Sequence, residues 1–357
     1  MSADDDSLTL PPKTRPKRAH RIGIVGPTAL VVLAFAVWSG YWAFVAHQVE
    51  WRLLNEQKAL IKAGYQASSE PFTVSGYPYR MYVDLKNVVI VSPSGKGMTA
   101  PEIVAEANAY ALTKWVVSAP QGLTLFRGHP DGSDLGKLVV TGRVLHASVS
   151  HLDQPIRQVS IQGTDIVVTP SDPSHPFIFS RADTFEAYTR PTPNQADTAD
   201  WVLRVDGAHG APQSLVGDLS PNQALSLHAE GTLSHVSAFK GDVTTGLSAW
   251  ASAGGQVRDF HGLLQAGDLS LTATSPVLTS DADDRLSGHL DLELSGTYKP
   301  IDVLAASRLI APENMLLAKP LLDMTLSTGS NQKFGIDFKN GGSYIGVLKV
   351  SNAPILP

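Results

Sequence analysis

Hydrophobic and polar positions change their period twice along this chain, and the changes divide it into segments. Residues 22–46 are apolar or uncharged throughout, with no alternation. About 20 such residues in a helix cross the ~30 Å hydrocarbon core of a bilayer, so the segment predicts one N-terminal transmembrane helix. Pro27 falls in its first turns, where a missing amide hydrogen does least harm. From Val49 the apolar residues Leu53, Leu54, Leu60 and Ile61 recur at helical spacing among Glu50, Arg52, Glu56, Lys58 and Lys62. That pattern predicts an amphipathic continuation over residues 47–64, ended by Gly64, whose stripe either caps the following domain or lies on a surface.

From Pro71 the period becomes two. Phe72 and Val74 lead to a turn at Gly76, Tyr77 and Pro78. Tyr79, Met81, Val83 and Leu85 then alternate with Arg80, Tyr82, Asp84 and Lys86, as a strand with one buried face does. The pattern recurs at Val159 and Ile161, and at Leu225 and Leu227. Leu269 and Leu271 alternate with Ser270 and Thr272, and Leu290, Leu292 and Leu294 with Asp291, Glu293 and Ser295. Phe334, Ile336 and Phe338 run into Asn340-Gly341, the residues of a tight hairpin turn, although Gly342 lengthens the candidate loop. Short, frequent strands separated by Gly, Pro, Asn and Asp predict a mainly β, antiparallel domain over residues 65–357, with curved or groove-like sheets and a few short helices. Residues 101–112 fit helix or strand. Residues 300–310 and 312–324 read as helices, with Pro320 as a kink or break in the second. A domain boundary near residues 207–221 is not marked by any change in strand character.

Charge sets the orientation. Lys13, Arg15, Lys17, Arg18 and Arg21 precede the apolar run, and uncharged residues follow it, so residues 1–21 are expected as a disordered cytoplasmic tail and the chain beyond the anchor in the periplasm. Trp38, Tyr41, Trp42 and Trp51 suit the far interface. A cleaved signal peptide competes with this reading, but its apolar core runs only ~7–15 residues and this one continues past that, which favours an uncleaved anchor. The net charge is −5, and with the tail at +2 the remainder is near −7, which gives no attraction for nucleic acid. The absence of cysteine excludes disulfides, thiolate catalysis and cysteine-held metal.

No catalytic or cofactor motif is present. Residues 92–99 have Gly95-Lys96 but lack the earlier glycine of a phosphate-binding loop. The histidines, His146 and His151 among them, lack the spacing of a helical zinc site. Asp281, Asp283 and Asp284 read as a solvated turn rather than a calcium loop. No enzyme, cofactor or metal is therefore expected.

Gly76-Tyr77-Pro78-Tyr79-Arg80, Ala100-Pro101-Glu102, Trp115 and Ala119-Pro120 resemble an uncharacterised domain-of-unknown-function family of alphaproteobacterial membrane-anchored envelope proteins. Residues 250–296, with Trp250, Gly254-Gly255, Leu263, Gly267, Arg285 and Gly288 around the leucine pairs, are similar to the strand repeats of AsmA-like envelope proteins. That resemblance implies phospholipid transport or outer-membrane homeostasis, although this chain is far shorter than the lipid-conducting members. The expected partner is thus the bilayer, with phospholipid or another envelope protein beyond it. The leading expectation is handling of lipid or another apolar component, and the alternative is a non-catalytic interaction module. Leu269, Leu271, Leu290, Leu292 and Leu294 are candidate lipid-facing residues, because an apolar face needs a cover. Gly76–Arg80 is the candidate structural turn, with both tyrosines packed and Arg80 paired or solvated; the alternative is a binding role for Arg80, as to a lipid phosphate.

Overall fold

A computed structural model describes residues 22–355, apart from 129–134, 153, 155, 212, 221, 240–242, 282, 284 and 297–330. The tail, both helices expected after residue 300, and Asp284 lie outside the described residues. The anchor and its amphipathic continuation form one helix, α1 (Ile22–Lys62), whose 41 residues extend about 60 Å. It is long and apolar enough to cross a membrane. Gly64, at φ +88°, follows its end.

Beyond α1 the strands form a single antiparallel sheet. Two short strands, β1 (Gln66–Ser68) and β2 (Val74–Ser75), line the outer edge of β3 (Arg80–Val91). β3 pairs with β4 (Lys96–Asn108), so residues 101–112 belong mainly to a strand and not a helix. Ala100, Ile103 and Ala107 are buried there, and sheet pairing makes a use of them that local spacing does not reveal. Residues 92–95 are only the turn between these strands, with Gly95 at φ +77°.

The next two rungs are broken strands. β5 (Ala111–Ser118) and β6 (Leu123–Arg127) pair with opposite ends of β4, and Ala119-Pro120 falls at the break. β8 (Val144–Ser150) and β7 (Lys137–Thr141) follow, and both pair with β9 (Gln158–Pro170). The sheet then meanders through β10 (Arg181–Pro191), β11 (Thr198–Ala208), β12 (Leu225–Ser234), β13 (Gln256–Ala266), β14 (Leu269–Ser280), β15 (Leu286–Ser295) and β16 (Asn331–Lys339). Asn340 and Gly341, at φ +50° and +66°, make the two-residue hairpin to β17 (Gly342–Ile345), so Gly342 lies in the strand. β18 (Leu348–Asn352) follows, and the chain returns to the start of β15 through an Arg285–Ile355 bridge. This return rolls the last strands into a small enclosure around Leu278, Leu292, Ile336, Phe338 and Val350.

Positive-φ residues interrupt alternate strands: Asn87 in β3, Asp165 in β9, Gly207 in β11, Asp259 in β13 and Gly288 in β15. Such irregularities bend a strand and increase its twist, which curves a sheet. At Gly207 the backbone conformation, φ +64°, favours glycine, and the Asp183 carboxylate packs close against it. Among the described residues the α-helices after α1 are short: α2 (Leu215–Leu219) and α3 (Val243–Ser252). Trp250, expected among strand repeats, is instead buried on α3, where its indole donates to the Ser234 carbonyl at 2.6 Å.

Candidate functional site: one apolar face, open at one end

Directly paired residues of an antiparallel sheet share a face, so the register defines rows across the molecule. One row runs Val83, Ala105, Val117, Ala147, Ile161 and Ala187. It continues through Leu203, Ala229, Gly262, Ala273, Leu292 and Phe334 without a single polar residue. A neighbouring row, Leu145, Gly163, Phe185, Val205, Leu227, Leu264, Leu271 and Leu294, is equally apolar. The reverse face carries Glu106, Ser148, Ser160, Tyr188 and Glu230 at matching positions.

The five leucines singled out above lie on this face, as their alternation predicts. Protein covers most of them. Leu269 and Leu294 are each 1 % exposed, in a cluster with Val216 and Leu219 of α2. Leu292 is buried and Leu290 partly buried in the C-terminal enclosure, and Leu271 packs against both clusters. α2 reaches this position because Ser214 caps it, its Oγ accepting from Gly217 N at 3.0 Å, and because Val216 N donates to the Ile178 carbonyl at 3.1 Å. Phe177 and Phe179 on that neighbouring loop meet edge to face and complete the cover.

Toward β4 the cover ends and a cavity of about 420 Å³ remains, with almost wholly apolar walls. Leu123 and Leu125 of β6, Leu138 and Val140 of β7, and Ile161 and Ile166 of β9 line it. Ala147 is the small residue of its row here, whereas the room beside Gly163 is taken by Ile166 and Leu145, whose side chains would lie 2.7 and 3.3 Å from a Cβ at that glycine. Access is graded along β9: Ile166 is 5 % exposed at the covered end, whereas Ile161 is 46 % exposed at the end of the sheet that meets α1. The strand alternation identifies Ile161 as apolar, but the broken strands that frame the cavity give weak local signals.

The Gly76–Arg80 turn is a joint with α1. The Tyr77–Pro78 bond is cis, and Arg80 N donates to the Gly76 carbonyl at 2.9 Å. Gly76 adopts φ +97°, and a Cβ there would lie 2.8 Å from the Arg80 carbonyl oxygen. Tyr77 sets its ring edge-on to Phe35 and Trp42 at centroid distances of 6.2 and 5.4 Å, yet stays 43 % exposed. Its hydroxyl meets Ser39 Oγ at 2.7 Å. Trp38 and Trp42 donate to the Pro78 and Arg80 carbonyls at 2.9 and 3.0 Å, and Tyr41 reaches the Ala109 carbonyl at 3.4 Å. Tyr79 departs from the expectation: it is 69 % exposed. Arg80 is both paired and solvated, meeting Glu106 at 2.9 Å with its side chain 67 % exposed.

Polar clusters elsewhere have structural explanations. Asp200 accepts from Thr192 and Thr232 and pairs with Arg190, tying neighbouring strands together. His146 bonds to Gln162 at 2.6 Å, and Gln162 in turn donates to Tyr188. Asp281 accepts from the backbone amides of Asp283 and Arg285, which makes it part of a turn. Asp172, held by His175 and Ser174, has its pKa lowered to about 2. His289 lies between Asp337 at 2.6 Å and Asp291 at 3.2 Å. The bond to Asp337 is the main cause of its raised pKa, and the same bond lowers that of Asp337. Among the described residues no group of three or more His, Cys, Asp or Glu side chains is placed to hold a metal ion.

Comparison with curated proteins finds no significant match. No solved structure matches either. A family described as an uncharacterized protein conserved in bacteria (DUF2125) matches residues 42–354, a stretch that takes in the turn, the groove and the C-terminal roll, and the chain belongs to that family.

Proposed function

We propose that this protein holds an apolar chain, such as a lipid acyl chain, in the groove between β4 and β10. The observation that carries the reading is the combination of an almost wholly apolar wall with access at the end nearest the anchor. About 420 Å³ falls within the ~300–1,000 Å³ typical of small-molecule sites. It suits an acyl chain better than an entire phospholipid, so a headgroup would remain outside.

The basic flank, and the one helix among the described residues that is long and apolar enough to cross a membrane, support a single-pass anchor in the inner membrane with the sheet in the periplasm. The resemblance of residues 250–296 to AsmA-like repeats supports the same class of work in the envelope. In this reading the protein receives or presents an acyl chain at the membrane surface. The length of the sheet argues against a bridge between two membranes.

The test is lipid mass spectrometry on full-length protein extracted from native membranes, beside the variant Ile161→Asp. Ile161 lines the groove but is water-accessible, so a carboxylate there stays solvated and leaves the fold intact. Co-purifying lipid that is lost in the folded variant is the expected result. Wild-type protein that carries no lipid, or a folded variant that keeps it, would overturn the reading and favour a docking module.

A further inference from the structure

We infer that the end of the sheet bearing Tyr77, Tyr79 and Tyr110 is seated in the leaflet at the C-terminal end of the anchor, as a membrane contact additional to the helix. The inference goes beyond the groove, because it requires no ligand there. It begins from height along α1. Counting about 20 residues from Ile22 places the far boundary of the hydrocarbon core near Trp42.

The helix surface that does not face the domain agrees with that level. Val37 and Phe44 are 65 % and 63 % exposed, so apolar side chains seek lipid along this whole stretch. Tyr77 contacts Phe35, Ser39 and Trp42, at the same height. The turn therefore lies at or just below the headgroups, and the domain does not stand clear of the membrane on a stalk.

The chemistry of this end suits the location. Tyr79 and Tyr110 are each 69 % exposed and Tyr77 is 43 % exposed. Such rings are favoured where hydrocarbon gives way to headgroups. Backbone carbonyls cannot be left unpaired in lipid. Here those of Pro78, Arg80 and Ala109 each accept from Trp38, Trp42 or Tyr41 of the helix. Arg80, beside the aromatic tip and largely exposed, is placed for a headgroup phosphate.

The natural chain contains no cysteine, so Tyr79→Cys, Tyr110→Cys and Pro173→Cys each give one labelling site on the full-length protein. Pro173 follows β9 at the opposite end of the sheet. Each variant is labelled with an environment-sensitive fluorophore and reconstituted in phosphatidylcholine and phosphatidylglycerol vesicles containing lipids with nitroxides high on the acyl chain. The expected result is blue-shifted emission at 79 and 110 that loses most of its intensity to the nitroxide, and neither effect at 173. Emission at 79 and 110 matching that at 173 would overturn the inference. Blue-shifted emission without quenching would also overturn it, because it would place protein rather than lipid over the tip. Circular dichroism that matches the natural chain establishes that each variant is folded.

Discussion

Leu294 and Ile161 lie on the same face of the same sheet, yet one is 1 % exposed and the other 46 %. Their strands share an alternating pattern, so the difference is not in the pattern. It lies in what crosses over the face. Above Leu294 stand α2 and the Phe177–Phe179 loop, while above Ile161 no element crosses among the described residues. An apolar face thus becomes a core or a groove according to loops that are remote in sequence from the strands they cover.

The contrast is tested most severely by placing a charge at both positions. Leu294→Asp should unfold the domain, because a buried carboxylate without a partner costs more than the ~5–15 kcal/mol margin of an ordinary domain readily absorbs. Circular dichroism and thermal melting report that outcome. Ile161→Asp should stay folded and shift stability by less than about 1 kcal/mol, as at a water-accessible position. If both variants unfold, or neither does, the two regions are alike and the distinction fails.

A milder truncation in the covered region follows. Leu292→Ala should cost about 2–5 kcal/mol, read as a lower denaturant midpoint at an unchanged slope. Loosening the cover itself is a smaller change. Ser214→Ala removes the cap of α2 and should cost about 0.5–2 kcal/mol. Faster amide exchange should appear in α2 and at its hydrogen-bonded partner, the Phe177–Phe179 loop, and leave β13 and β14 protected.

The smallest effect concerns pH. His289 has a raised pKa, so its contribution is complete below its unfolded value, near 6.5, and is lost as pH rises through the folded value. Asp337, with a lowered pKa, contributes above its unfolded value and loses that contribution as pH falls through the folded one. Their link between β15 and β16 is therefore strongest in the mildly acidic window between these limits. Because both groups are partly solvated, the change is a fraction of a kcal/mol. Comparison of His289→Gln with the natural chain across that window measures it.

Much of this architecture was legible in single stretches of sequence. An uninterrupted apolar run reported the anchor, alternation reported the strands, and Asn340-Gly341 reported a two-residue hairpin. The shared face of the five leucines followed from the period of two. What covers that face did not follow, because α2 spans only five residues and its contacts are distant in sequence. Residues 101–112 were ambiguous because their apolar spacing satisfies helix and strand alike, and only pairing with β3 decides between them. The aromatic residues of the anchor suited an interface on composition alone. Their hydrogen bonds to the Gly76–Arg80 turn and to Ala109 depend on the tertiary fold.

The joint between α1 and that turn has a mechanical consequence. The helix runs unbroken past the edge of the sheet, and two indoles and one phenol hold carbonyls of the domain at several heights. Farther along, Gln57 holds the Ala67 carbonyl as well. A flexible tether would let the domain sweep a hemisphere above the bilayer and sample every bearing. With α1 in a bilayer as proposed, this clamp would remove the swivel and leave lateral diffusion and spinning about the membrane normal, with the groove at a constant tilt. In that proposed setting a collaborator would approach along the plane of the membrane, in the manner of a key brought to a lock already set in a door.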